Sequence, residues 1–243
     1  MKITKFLAPL AVLAVLAATS AVAANLDNHK EAPKADKHAE GEKKDAKSEA
    51  KSDDKAILQA QRWSYPLATC PISGEKLEDK HVDFVVAGRM VRTCCDDCKA
   101  KVTKDPSEAF KKVDAAVIAD QKASYPMTTC PVSGEKLTEK AIDKVWGTRL
   151  VRFCCADCAK EFDKDPKPVM AKLDEAYIKA QRETYPMKKC IVSGEELGGM
   201  GEPVEKLYGT TLVRFCCNSC VRSFEKEGDK FMKELAAARK PAK

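Results

Sequence analysis

The sequence predicts an α+β protein of three small repeats, each a tight turn, a β-hairpin and a helix, joined by amphipathic helices and preceded by a leader and a charged linker. Three observations carry this. Cysteines recur with a period of sixty residues at Cys70, Cys130 and Cys190, and a repeat this close implies duplication of one structural unit. Each copy opens with the same punctuation, Gln-x-x-x-Tyr-Pro at Gln61, Gln121 and Gln181, followed by Cys-x-x-Ser-Gly-Glu. All twelve cysteines fall inside the copies, four to each.

Residues 1–24 read as a signal peptide. Lys2 and Lys5 precede a short apolar run from Phe6 to Ala18, and Ala21-Val22-Ala23 supplies small residues for cleavage; such a run is too short to span a bilayer. Residues 25–55 read as a disordered linker of Lys, Glu, Asp, Ala and Ser, with too little apolar surface to offset the entropy of ordering. His29 and His38 lie there as solvated polar residues. The repeats then occupy 56–115, 116–175 and 176–238. These features place the chain in the periplasm or outside the cell, with no membrane insertion after cleavage. The formal charge of +6 is spread over interleaved Lys and Glu without an Arg-rich aromatic surface, which argues against a nucleic-acid partner.

Within the second copy, Cys130-Pro131-Val132-Ser133-Gly134 predicts a tight turn, with Gly134 free to take positive φ. Residues 141–145 and 149–153 flank Trp146-Gly147-Thr148 as a short hairpin, and the other copies keep a glycine as Gly88 and Gly209. A helix runs from Cys155 to about Lys164 and stops before Asp165-Pro166, because the residue before proline is pushed out of the α region. A second helix starts at that proline, with an apolar stripe of Val169, Leu173, Ala176, Tyr177 and Ala180, matched earlier by Phe110, Val113 and Val117. Glu227-Gly228-Asp229 replaces the Asp-Pro break in the third copy and leaves its last helix less defined.

A unit of this size has a marginal core, so cross-linking by cysteine is expected. Two chemistries compete. An oxidising compartment favours disulfides, whereas the placement favours a metal. Cys94 and Cys98 lie four apart at a helix start, where exposed N–H groups and the helix dipole favour thiolates, and the Cys70 turn can be brought against them by the hairpin. Turn, hairpin, then cysteines in the first helical turn is how a treble-clef zinc finger presents its ligands.

The run Phe153-Cys154-Cys155-Ala156-Asp157-Cys158-Ala159-Lys160-Glu161-Phe162-Asp163-Lys164-Asp165-Pro166, preceded by Cys130-Pro131-Val132-Ser133-Gly134 and Gly147, resembles the TRASH and YHS domains. The resemblance extends over all three copies. It implies a treble-clef-like fold, a role in heavy-metal sensing, trafficking or resistance, and as ligands Cys70, Cys94 and Cys98, then Cys130, Cys154 and Cys158, then Cys190, Cys216 and Cys220. The chain departs from the pattern in its turn, where the YHS domains commonly read Asp-Pro-Val-Cys-Gly. Here the cysteine stands first, and Ser73, Ser133 and Ser193 take the later place.

Cys95, Cys155 and Cys217 either complete a four-cysteine site or leave a fourth position open. A closed four-thiolate site is structural, while an exposed three-thiolate site suits exchange of a soft ion such as Cu+. The expected ion is Zn2+ or Cu+, about one per repeat, and the expected partner beyond the ion is a membrane metal transporter or another protein. Met127 and Met187 precede the first cysteine but Leu67 takes that place in copy one, so they are expected in the core. His81 occurs once, and Glu75, Glu135 and Glu195 read as exposed or capping residues.

Two other functions compete with metal handling. One is an interaction module that zinc or disulfides merely hold together. The other is a thiol oxidoreductase using the CxxC pairs Cys95/Cys98, Cys155/Cys158 and Cys217/Cys220. The latter ranks lower, because no βαβ pattern surrounds the pairs and a third cysteine always precedes them. Three histidines and no nucleophile constellation argue against an enzyme.

Overall fold

The computed structural model describes residues 53–78 and 80–239; the signal peptide and most of the linker lie outside them. The described chain is mixed α+β. Helix α1 (residues 53–61) leads into a 3-10 turn, Arg62–Ser64. Three sets of elements follow. They are β1 (Val82–Val86), β2 (Arg89–Thr93), α2 (Asp96–Lys104) and α3 (Ser107–Gln121); then β3 (Ile142–Trp146), β4 (Arg149–Phe153), α4 (Ala156–Lys164) and α5 (Lys167–Arg182); then β5 (Val204–Tyr208), β6 (Thr211–Phe215) and α6 (Asn218–Arg239). Each pair of strands forms its own antiparallel hairpin. None of the described helices is long and apolar enough to cross a membrane.

Several expectations shift on inspection. Helix α1 begins at residue 53, inside the stretch read as linker, with Asp53 and Asp54 at the end where the helix dipole favours acids. The expected repeat boundaries at 115/116 and 175/176 fall within α3 and α5, so each helix belongs to two units. Gly88 is not the counterpart of Gly147. Gly147 (φ +62) and Gly209 (φ +63) take the first place of their two-residue loops, whereas the first hairpin turns on Ala87 (φ 48) and Gly88 (φ 72), both in the left-handed region. Two positive φ values in succession are the mark of the mirror-image turn that suits strand twist. Ala180 is exposed, and the α5 stripe is carried by Val169, Leu173 and Tyr177. In the third copy two helical stretches meet at a kink at Glu227 (φ −123, ψ 22) and together span α6, with no proline between them.

The Gln-x-x-x-Tyr-Pro motif explains how one unit fits the next. Each hairpin leaves the outer edge of its second strand unpaired, and an open edge is a liability. At the end of α3, Gln121 Oε1 accepts the Leu150 N–H and its Nε2 donates to the Thr148 carbonyl, both at 2.8 Å. Four residues on, the Tyr125 hydroxyl accepts the Arg152 N–H at 3.2 Å. Gln61 and Tyr65 serve Met90 and Arg92 in the same way, as do Gln181 and Tyr185 for Leu212 and Arg214. Cross-strand ion pairs Asp83–Arg92, Asp143–Arg152 and Glu205–Arg214 lie beside these edges, each guanidinium over the ring of the capping tyrosine.

The cores are unequal. Phe153 and Phe162 centre the second, and Phe215, Phe224 and Phe231 the third, whereas Thr93 and Val102 hold the corresponding places in the first. The segment after α1 joins the three. Gln61 pairs with the first hairpin and its carbonyl accepts the Thr148 hydroxyl at 3.0 Å. Trp63 packs in the third core against Tyr208 and Phe224, and Arg62 pairs with Asp229. A Cβ on Gly209 would stand 2.5 Å from Ser64, so glycine is needed there for close approach as well as for φ.

Candidate metal centre

Each site is assembled from a loop and a helix start. Cys70 donates its N–H to the Glu75 carbonyl at 2.7 Å, and its own carbonyl accepts the Gly74 N–H at 2.9 Å; the loops at Cys130 and Cys190 repeat this closure. Gly74, Gly134 and Gly194 take φ of +77, +78 and +75, values that the turn requires and side chains resist. The loop is tied from outside by the Lys112 ammonium, which donates to the Pro71 carbonyl at 2.6 Å, as Lys172 does to Pro131 at 3.0 Å. Cys94 then follows directly on β2, Cys95 is the N-cap of α2 in extended conformation, and Cys98 falls in the first turn.

Three triads result, Cys70/Cys94/Cys98, Cys130/Cys154/Cys158 and Cys190/Cys216/Cys220, with the sulfurs of each within 4.8 Å of one another. Separations of 3.8 Å for Cys94–Cys98 and 3.7 Å for Cys154–Cys158 and Cys216–Cys220 match the ~3.8 Å edge of a tetrahedron with Zn–S bonds of about 2.3 Å. They are far from the ~2.05 Å of a disulfide, and all twelve cysteines are free thiols. Each triad is therefore close enough to bind one metal ion.

The sulfurs within a triad differ. Burial pushes the Cys70 thiol up, but the Ser73 hydroxyl and the N–H groups of Ser73, Cys94 and Ile72 outweigh it and bring it down to about 6. Cys130 and Cys190 sit in equivalent N–H cradles, their thiols also lowered to about 6 against the effect of burial. The Ser73 hydroxyl lowers Cys94, yet the Glu75 carboxylate, burial and the neighbouring thiols carry it up to about 12. Cys154 reaches about 12 with Glu135 among the causes. Cys220 also reaches about 12, through burial first and then Cys216, Cys190 and Cys217. The loops of the first two units thus each offer one ready thiolate facing sulfurs that hold their protons.

Ser73, Ser133 and Ser193 take a supporting place. Their hydroxyls lie 3.3 Å from Cys94, Cys154 and Cys216, and each accepts the N–H of the glutamate two residues on. Glu75 and Glu135, read from sequence as exposed or capping residues, also act on the thiols of Cys94 and Cys154. The threefold recurrence of Ser-Gly-Glu was the available signal for both. Met127 and Met187 pack in the cores as expected, and His81 sits beside Asp83, away from the sulfurs. Cys95, Cys155 and Cys217 stand outside the triads.

The fold and sites define a cysteine-rich protein with three repeated centres, each able to hold a metal ion. Comparison with known proteins gave no match to any family model, curated protein or solved structure.

Proposed function

We propose that the protein is an extracytoplasmic heavy-metal-binding protein that takes up a soft ion, Cu+ or Zn2+, on three three-thiolate sites and hands it on, and that its units are treble-clef-like modules of the TRASH/YHS type. The convergence of a loop cysteine with two helix-start cysteines, made three times in one chain, carries this reading. Three thiolates with an open fourth position favour exchange over a closed structural role. The lysine-bearing apolar leader supports export, and three copies supply capacity. The chain acts as a binding protein rather than an enzyme, with a metal transporter or another sulfur-bearing protein as its acceptor.

The test is metal content together with free-thiol count on protein taken anaerobically from the periplasm. About three metal equivalents, with thiols that react only after chelation, is the expected result. Cysteines fully oxidised and free of metal would overturn the proposal. Release of the ion to a competing chelator while the protein stays folded separates handover from a purely structural ion.

A further inference from the structure

The third cluster presents two three-sulfur faces rather than one. In the third unit Cys216, Cys217 and Cys220 form a complete triangle with separations of 3.9, 3.7 and 3.8 Å. Cys190, Cys216 and Cys220 form the other, and the two share the Cys216–Cys220 edge. Cys217 is close to both shared sulfurs but is not one of the three that converge with Cys190. In the first two units the corresponding outer sulfurs lie beside the first shared sulfur, Cys95 3.7 Å from Cys94 and Cys155 3.8 Å from Cys154.

The faces differ in access. The inner one ends in Cys70, Cys130 or Cys190, which are 2%, 1% and 2% exposed, whereas Cys95 and Cys155 are exposed and Cys217 is half-buried. The outer sulfur is the N-cap of α2 and α4 and immediately precedes α6, where free N–H groups favour a thiolate.

We infer that Cys95, Cys155 and Cys217 are transfer ligands: the ion rests on the inner face and leaves by way of the outer one. This deepens the metal-handling reading and rests on it. In the step, the outer thiol gives its proton to water and its sulfur bonds the ion as the bond to the buried loop cysteine breaks. The two shared sulfurs stay bound, the loop cysteine remains a thiolate in its N–H cradle, and the oxidation state of the ion is unchanged. A thiolate of the acceptor then displaces the outer-face sulfurs in turn.

The experiment loads the full chain anaerobically with Cu+, adds excess chromogenic Cu+ chelator and follows release in wild type, Cys217→Ser and the triple variant Cys95→Ser/Cys155→Ser/Cys217→Ser. Copper content and melting temperature should be unchanged, while the triple variant releases copper more slowly by roughly tenfold or more. Cys217→Ser alone should slow about a third of the signal, one site of three. Loss of one copper per replaced cysteine would show a closed four-thiolate site, and an unchanged rate would show no transfer role; either overturns the inference. Alkylation of loaded wild type gives a reading free of mutation: Cys95, Cys155 and Cys217 should react while the triad cysteines are protected, and protection of all would also overturn it. A wild type that binds neither Cu+ nor Zn2+ defeats the metal-handling reading itself.

Discussion

The Gln121 side chain acts as a missing strand for Leu150, accepting its N–H at 2.8 Å while donating to the Thr148 carbonyl two residues before it. Gln121 is 2% exposed, so neither backbone group can turn to water if the amide is lost. Gln121→Leu should therefore cost about 2 kcal/mol or more, the penalty of stranding buried polar groups. Urea unfolding measures it, and a loss near zero would show that the edge finds other partners.

Trp63 should hold the start of the described chain to the third unit. It packs on Tyr208 and Phe224, and a Cβ added at Gly228 would run into its ring. Trp63→Ala is expected to cost about 3 kcal/mol without changing metal stoichiometry, since it supplies no ligand. Thermal unfolding with metal titration checks both halves.

Ser133 should tune its site without ligating. Ser133→Ala removes the hydroxyl beside Cys154 and one of the donors that lower Cys130. Metal affinity at that site should fall by roughly tenfold, as for other losses in a supporting shell, while three equivalents still bind. Competition against a chelator of known affinity reads the change.

Metal uptake should release about two protons per site at pH 7.5 in the first two units. Cys70 and its counterparts, lowered to about 6, are already thiolates there, whereas Cys94 and Cys154, raised to about 12, are not, and Cys98 and Cys158 are also raised. Below pH 6 the loop thiol is protonated as well, so release rises towards three and affinity falls more steeply with acid. Calorimetry in buffers of different ionisation enthalpy counts the protons.

Acid should loosen the third hairpin partly through Glu205. Pairing with Arg182 outweighs burial and, with Arg214, holds its carboxyl below the usual range. A carboxyl lowered on folding stabilises the protein above the ordinary glutamate value, about 4.3, and that stabilisation is lost as pH falls through the folded value. Glu205→Gln should be less stable at neutral pH and lose less on acidification, as melting temperatures from pH 7 to 3 would show.

Much of the site was legible because its determinants are local. Cys94 and Cys98 lie four apart where the hairpin ends and the helix starts, and Gly134 and Gly147 announce turns because few other residues accept their φ. The kink within α6 was not legible, since Glu227-Gly228-Asp229 neither blocks a helix nor secures one.

Sequence alone determined the repeat, its hairpins and helices, and which residues carry the sulfur chemistry, because these follow from spacing and from single-residue backbone preferences. It left undecided whether Cys95 joins Cys70, Cys94 and Cys98 in one site or stands aside from them. Only the tertiary structure chose, because the Cys70 loop approaches the helix from the side of Cys98 and leaves Cys95 towards solvent. The same holds for Gln121 and Tyr125, whose value as edge caps exists only once α3 lies along the hairpin that follows it.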